Sequence, residues 1–199
     1  MSDFPTAANI TLGILAGGRA TRLGGLDKAW LQQEGQPRVL RWRDRFANEV
    51  SVIVVSANRD LPRYAAAGLE VVTDEVGGDL GPIAGLAALA AASRTPWLLT
   101  IPVDLLGVDG SLLPMLVAGS GVDGAYARDD DGVQPLVALW RVAALRSTIP
   151  AAIASGDTAV QSLQRRLDMA PVGFDGVRFG NLNTPDDLAS AGIPMTNER

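Results

Sequence analysis

Short apolar runs alternate with helix-like or glycine-rich segments through the first half of the chain. The apolar runs, each as long as a buried strand, are Ile10–Ala16, Ser51–Val55, Leu69–Thr73 and Trp97–Ile101. The segments between them predict helices at Val39–Ala47, Leu61–Ala67 and Ile83–Ala92, and a loop at Gly77–Pro82. This alternation predicts an α/β protein with a parallel sheet covered by helices on both faces.

The second half of the chain has a different pattern. Gly124–Arg128 and Val133–Trp140 predict a hairpin that turns at Asp129–Gly132. The elements predicted after it are helices at Val142–Ala154 and Ala159–Leu167 with a capping turn at Gly156–Thr158, a last strand at Val177–Leu182, and a helix starting at Thr184. No repeat or linker divides the pattern, so we predict one domain over residues 1–199 with a loose tail at 1–9.

Polar residues follow three of the predicted strands. The loop Gly17–Gly25 follows the first strand, Asp74 the third and Asp104 the fourth. Ligands of such sheets bind outside the carboxyl ends of the strands, so we expect these features to meet in one site. Capping of local structure is the alternative role for both aspartates. The acidic run Asp129–Asp131 is better interpreted as a charged hairpin turn than as a metal site.

Two missing residue types narrow the chemistry. The 199 residues include no Cys and no His, which excludes disulfides, thiolate metal sites, a cysteine nucleophile and a Ser-His-Asp triad. The 17 basic against 22 acidic residues give a net charge of -5, which argues against nonspecific binding to nucleic acid or to an anionic membrane. Carboxylates, arginines, one lysine and backbone amides remain. That inventory suits phosphoryl or nucleotidyl transfer.

The apolar pattern predicts neither a membrane span nor a signal peptide. The longest apolar stretch lies around Ile83–Ala92 and is too short to cross a bilayer. The first nine residues lack the basic start and apolar core of a signal peptide. We therefore predict a cytoplasmic protein.

The most informative segment runs from Leu15 to Lys28. It is a strand followed by a glycine loop, with Arg19, Arg22 and Lys28 nearby, and it matches neither the Rossmann fingerprint nor the Walker A loop. Glycines let backbone amides approach phosphate oxygens, and the cations balance their charge. A tight surface turn is the alternative interpretation. The phosphate interpretation is favoured because Lys28 is the only lysine in the chain, and an ammonium is not interchangeable with a guanidinium.

The sequence resembles a known family, the molybdenum cofactor guanylyltransferases. The resemblance begins with the Leu15–Lys28 segment and continues in order over nearly the full length. The later matching segments are Gly81–Leu86, Pro102–Asp104, Gln134–Leu139 and Asn181–Pro185. The fold that the resemblance implies is a three-layer α/β/α, Rossmann-like nucleotidyltransferase fold with a mostly parallel sheet and a hairpin in its second half.

The resemblance also implies a role for each matching residue. The nucleotide-binding positions that it implies are Leu15, Ala16, Gly17, Gly18, Lys28, Ser56, Asp74 and Asp104. Among these, Lys28 contacts the phosphates and Asp104 binds both Mg²⁺ and nucleotide. Arg22 faces the triphosphate, which makes Lys28, Arg22 and Asp104 the candidate catalytic residues. Asn181 and Asn183 lie towards the pterin substrate, although shaping the turn before the last helix is an equal alternative.

Three positions depart from the family pattern. Val103 replaces the cysteine that commonly precedes the metal aspartate, and Ser56 stands where an asparagine is frequent. The turn Gly156–Ala159 lacks the arginine expected to help hold the second substrate, and Arg165 and Arg166 are the candidates to replace it.

The activity implied is transfer of GMP from GTP to the phosphate of molybdopterin or its molybdenum-bearing form, with Mg²⁺ as cofactor. Transient contacts with molybdoenzymes and cofactor-handling proteins accompany that activity. Four alternatives remain open. They are a cytidylyltransferase that uses CTP, a sugar-1-phosphate nucleotidyltransferase, a GTP-binding carrier of the cofactor without turnover, and an α/β domain with no nucleotide site.

Overall fold

A central β-sheet positions most of the residues singled out above. The computed structural model describes residues 4–17, 26–74 and 80–194. In chain order, the strands and helices of those ranges are β1 Ile10–Leu15, β2 Gln32–Gln33, β3 Gln36–Pro37, α1 Arg38–Phe46, β4 Val52–Ser56, α2 Leu61–Ala66, β5 Glu70–Val72, α3 Pro82–Ala92, β6 Trp97–Pro102, α4 Leu112–Ala118, β7 Gly124–Asp129, β8 Gly132–Arg141, α5 Val142–Ala154, α6 Val160–Arg166, β9 Met169–Gly173 and α7 Pro185–Ser190.

The strand order of the main sheet creates a switch point at β1. The described strands are arranged β5-β4-β1-β6-β8-β7-β9, while β2 and β3 form a separate small hairpin. β1 pairs in parallel with β4 on one side and β6 on the other, so the chain reverses its winding direction there. Only β8, among the described strands of this sheet, runs against its neighbours. A ligand cleft is expected at the carboxyl end of β1.

Two apolar clusters cover the two faces of the sheet. Side chains of α1, α2 and α4, such as Trp42, Tyr64 and Leu116, pack on one face. Side chains of α3, α5 and α6, such as Leu89 and Leu145, pack on the other. The result is the predicted three-layer α/β/α architecture with a mostly parallel sheet and a hairpin at β7–β8. No helix within the described ranges has the length and apolar character needed to cross a membrane.

The last helix shows how local chemistry sets an element boundary. The Oγ1 of Thr184 accepts a hydrogen bond from Asp187 N at 3.2 Å, and Asp187 Oδ2 accepts one from Thr184 N at 2.8 Å. Pro185 occupies the first helical position, where a missing N–H costs nothing. The start of this helix is therefore predictable from the four residues Thr184–Asp187 alone.

The strand predicted at Val177–Leu182 is wrong. The edge strand of the sheet is β9, which pairs in parallel with β7, and the predicted segment forms only one isolated bridge, between Leu105 and Asn181. Pro171 lies inside β9 and makes the segment unlike an ordinary strand. Proline is accepted here because β9 is an edge strand, where one N–H group can be absent from the ladder. The short helix α4 and the β2–β3 hairpin were also absent from the prediction.

Candidate functional site

A cleft of about 480 Å³ opens at the carboxyl ends of β1, β4, β5 and β6. It brings together every described residue of the predicted nucleotide-binding set: Leu15, Ala16, Gly17, Lys28, Ser56, Asp74 and Asp104. Gly18 and Arg22 lie outside the described residues, so their roles stay predictions. The convergence follows from the fold, because strands distant in sequence end at the same edge of the sheet.

An ion pair between Lys28 and Asp104 forms the charged centre of the cleft. Lys28 Nζ lies 2.6 Å from Asp104 Oδ2, and each side chain is 16% exposed. Lys28 Nζ also donates to Asn183 Oδ1 at 2.9 Å. One ammonium therefore joins the strand end that carries Asp104 to the segment that precedes α7. A phosphate and a hard cation could each replace one side of this pair.

Asp27 fixes the backbone that carries Lys28. Residues Lys28–Trp30 form a 3-10 helix, and the Asp27 carboxylate caps it by accepting a hydrogen bond from Ala29 N at 3.0 Å. The hydroxyl of Tyr64 donates to the same carboxylate at 3.4 Å. Burial raises the pKa of Asp27, which these hydrogen bonds only partly offset. The cap holds the first residue of the 3-10 helix towards the cleft.

Two residues near the end of β4 hold Asp74. Ser56 is the last residue of the strand, and Asn58 lies two positions after it. Asn58 Nδ2 donates to Asp74 Oδ2 at 2.8 Å, and Asp74 N donates to Asn58 Oδ1 at 3.0 Å. Ser56 Oγ donates to Asp74 Oδ1 at 3.3 Å. Asn58 was not among the residues predicted for the site. The signal for it was its place just past the carboxyl end of a predicted strand, where ligand-site residues concentrate.

The N-terminal end of α3 forms a wall of the cleft beside Asp74. Gly81 precedes the helix with φ of +64°, in the region that favours glycine. A Cβ on Gly85 would lie 2.9 Å from Ser56 Oγ and 3.0 Å from Leu15 Cδ2. Gly85 therefore lets α3 approach the ends of β1 and β4, which gives a physical reason for a glycine at this position of the Gly81–Leu86 segment.

The asparagine-bearing segment lies directly against Asp104. Leu182 N donates to Asp104 O at 3.2 Å, and Asn181 bridges Leu105. Asn183 reaches Lys28, as described above. Neither asparagine is among the described residues that line the cleft, but Asn183 contacts Lys28, which does, and Asn181 lies beside Leu105.

The arginines suggested as replacements in the Gly156–Ala159 turn occupy other positions. Arg166 pairs with Asp157 of that turn at 2.9 Å, and Arg165 donates to Ser162 at 2.8 Å. Neither is among the described residues that line the cleft. The predicted cap of α6 is also different, because the N-cap residue is Ala159, which has no capping side chain.

The donor set around Asp104 fits a magnesium ion carried with a nucleotide. Mg²⁺ prefers oxygen ligands and commonly takes one or two carboxylates together with substrate phosphates and waters. The Asp104 carboxylate, with the amide oxygen of Asn183 close to the same ammonium, offers such oxygens. The described residues contain no cluster of three or more Asp, Glu, His or Cys that would form a protein-only metal cage.

A doubly wound sheet with a glycine-lined, charged cleft at its switch point defines a class of nucleotide-binding α/β proteins. Within that class, the family model of the MobA-like NTP transferase domain matches residues 12–171. The chain is 35% identical over 182 residues to the molybdenum cofactor guanylyltransferase of Yersinia pestis strain Pestoides F, covering 90% of this chain and 93% of that protein. The chain belongs to this nucleotidyltransferase family, and it is an enzyme.

Solved structures confirm the fold. The chain superposes on molybdopterin-guanine dinucleotide biosynthesis protein A from Archaeoglobus fulgidus with a TM-score of 0.67 and 21% identity, over 91% of this chain and 96% of that one. It superposes on CTP:phosphocholine cytidylyltransferase from Streptococcus pneumoniae with a TM-score of 0.66 and 15% identity, over 92% and 97%. Both similarities concern the architecture of the chain.

Proposed function

We propose that this enzyme transfers GMP from GTP to the terminal phosphate of molybdopterin or its molybdenum-bearing form. The observation that carries the proposal is the Lys28–Asp104 pair, 2.6 Å apart, in a cleft lined by the start of the glycine loop. The name of the Yersinia pestis relative supports GTP as the donor and the molybdenum cofactor as the acceptor.

The chemistry is a displacement at the α-phosphorus of GTP. An oxygen of the acceptor phosphate forms a bond to that phosphorus, the bond to the bridging oxygen breaks, and pyrophosphate leaves with its electron pair. A phosphate monoester has its second pKa at about 6, so the attacking oxygen is already ionised near neutral pH. The reaction needs no general base, which is consistent with a chain that contains no histidine.

The residues of the cleft divide this work. Lys28 would bind the phosphates and stabilise the charge that develops on pyrophosphate. Asp104 would hold Mg²⁺, which neutralises the same charge when it is bound there. Asp74, fixed by Asn58, would bind the nucleoside, and Asn183 would face the pterin side. Ligand binding would replace the Lys28–Asp104 contact by two new contacts, one between Lys28 and phosphate and one between Asp104 and Mg²⁺.

Pyrophosphate release from purified protein tests the proposal. We expect release with GTP, Mg²⁺ and molybdopterin together, and none when the acceptor is omitted. Faster release with CTP than with GTP would replace the guanylyl assignment by the cytidylyl one. Tight GTP binding in calorimetry without any pyrophosphate release would instead indicate a carrier.

A further inference from the structure

Three consecutive carbonyl groups around Asp104 are each held by a distant part of the chain. The carbonyl of Val103 accepts from Arg38 Nε at 3.1 Å and from Trp42 Nε1 at 3.0 Å. The carbonyl of Asp104 accepts from Leu182 N. The carbonyl of Leu105 accepts from Arg38 Nη2. Arg38 therefore binds the backbone on both sides of Asp104.

Packing alone does not hold this backbone. The loop that follows Asp104 borders a second cavity of about 360 Å³, lined by Leu105–Val108 on one side and by α1 on the other. A loop next to open space can shift when its hydrogen bonds are removed. Val103 and Leu105 are buried, and backbone hydrogen bonds join Val103 to Leu15, Asp104 to Leu182 and Leu106 to Gly180. The donors from α1 add a side-chain restraint on the two carbonyls that flank Asp104.

Burying the charged side chain of Arg38 has a high cost in free energy. It is 3% exposed, and it makes no ion pair within the described part of the chain. Burial lowers the pKa of Arg38 to about 10, although the nearby charge of Asp104 acts in the opposite direction. An apolar side chain of similar volume commonly stabilises a core better than a buried charge does. Its hydrogen bonds to Val103 O, Leu105 O and Gln33 Oε1 offset part of that cost, so stability alone does not account for an arginine at this position.

We propose that Arg38 is a positioning residue, which aims the Asp104 carboxylate at the metal and nucleotide by fixing the carbonyls of Val103 and Leu105. The inference rests on the proposed function, because that function gives Asp104 its ligand. A guanidinium presents several donors in one rigid plane and can span two carbonyls, whereas an ammonium is a single point charge. Trp42, one helical turn further along α1, supports the same clamp with a single donor.

The test compares Arg38→Met with a matched variant, Arg146→Met. Arg146 also binds carbonyls, those of Ala90, Ala91 and Ser93, but at the end of α3 away from the cleft. The primary readout is Mn²⁺ binding to the protein with GTP, followed by electron paramagnetic resonance. Thermal melting and metal-free GTP binding are measured beside it.

We expect Arg38→Met to weaken Mn²⁺ binding by about 10- to 100-fold, the usual cost of losing an outer-shell partner. The affinity for GTP without metal should change by less than about twofold, because the substitution leaves Asp74 and the residues of the glycine loop unchanged. Arg146→Met should lower the melting temperature and leave Mn²⁺ binding unchanged. Arg38→Lys should recover part of the loss, and Trp42→Phe should show a smaller loss.

The outcomes separate this inference from the proposed function. Wild-type protein that binds no Mn²⁺ with GTP would overturn both. Wild-type binding that is unchanged in a folded Arg38→Met would overturn this inference alone, as would an equal loss in Arg146→Met. If Arg38→Met does not fold, unchanged Mn²⁺ binding in both Arg38→Lys and Trp42→Phe overturns it.

Discussion

Asp104 and Asp129 are two carboxylates at strand ends of one sheet, and their surroundings differ. Asp129 ends β7 and is 7% exposed. Its Oδ1 accepts from the backbone N–H groups of Asp131 and Gly132, and its Oδ2 accepts from Gln134 Nε2 and Phe179 N. The Asp104 carboxylate has one hydrogen-bond partner among the described residues, the ammonium of Lys28.

The difference supports a structural role for Asp129 and the ligand-binding role proposed for Asp104. Burial would raise the pKa of Asp129, but its hydrogen bonds outweigh burial and hold that pKa below the usual value. Three of its donors are backbone groups, two within the turn and one at Phe179, and they cannot move without disrupting the local fold. The Lys28 side chain can rotate away from Asp104 when a ligand arrives. A carboxylate with movable partners keeps binding capacity, whereas one paired with its own backbone has none left.

The strongest test of the contrast is Asp104→Asn. The substitution keeps the shape of the side chain but removes the charge that would hold Mg²⁺ and balance Lys28. We expect kcat/KM for pyrophosphate release to fall about 1000-fold. The melting temperature should change by no more than about 3 °C, because a partly exposed ion pair contributes little to stability. Turnover within tenfold of wild type would remove Asp104 from the mechanism.

Removing the other half of the pair should have a slightly smaller effect. We expect Lys28→Met to lower kcat by about 100- to 1000-fold, since one donor to the developing charge is lost. Lys28→Arg is the matched control, because it keeps the charge in a different shape. It should retain more activity than Lys28→Met and stay below wild type. Full activity of Lys28→Arg would mean that charge alone is needed there.

We expect Asp129→Asn to lower stability and keep activity, the reverse of the result expected for Asp104→Asn. Whichever way the new amide is oriented, its NH2 group would face two of the existing donors. We expect the free energy of unfolding to fall by about 2 kcal/mol, the cost of leaving buried donors unsatisfied. Chemical denaturation measures that loss. The kcat at 25 °C should remain near wild type, and a collapse of kcat in folded protein would contradict the structural assignment.

Asn58→Ala tests whether the support of Asp74 matters. The variant removes the donor to Asp74 Oδ2 and the acceptor of Asp74 N, so the carboxylate is less well fixed. We expect the Kd for GTP to rise about tenfold, equivalent to one net hydrogen bond to a charged group. Calorimetry measures the Kd, with melting as a check on folding. An unchanged Kd would show that Asp74 does not need Asn58.

The smallest effect is a dependence of stability on pH. Because the folded pKa of Asp129 lies below its unfolded value, the group stabilises the fold above about pH 4. That stabilisation is lost as the pH falls through the folded pKa. The difference in unfolding free energy between wild type and Asp129→Asn should therefore shrink in acid. A difference that is constant from pH 7 to pH 3 would contradict this account.

Most of the sheet was predictable because its signals are local. Buried strands such as β1 and β6 are continuous apolar runs, and the hairpin and the Thr184 cap depend on a few adjacent residues. The edge strand β9 carries a proline and half-polar surroundings, so its identity depends on the neighbour it pairs with. The local sequence pattern of β9 does not indicate that it pairs with β7.

The sequence by itself determined the β/α order of the first half, the β7–β8 hairpin, the glycine-rich segment and which chemical groups were available for catalysis. Only the tertiary structure decided that Lys28 meets Asp104, 76 residues away, and Asn183, 155 residues away. It also decided that Asn58 holds Asp74 and that Arg38 binds the carbonyls of Val103 and Leu105, on either side of Asp104. The physical reason is that strand and helix formation follow from neighbouring residues, whereas side-chain contacts depend on strand order and register across the whole sheet.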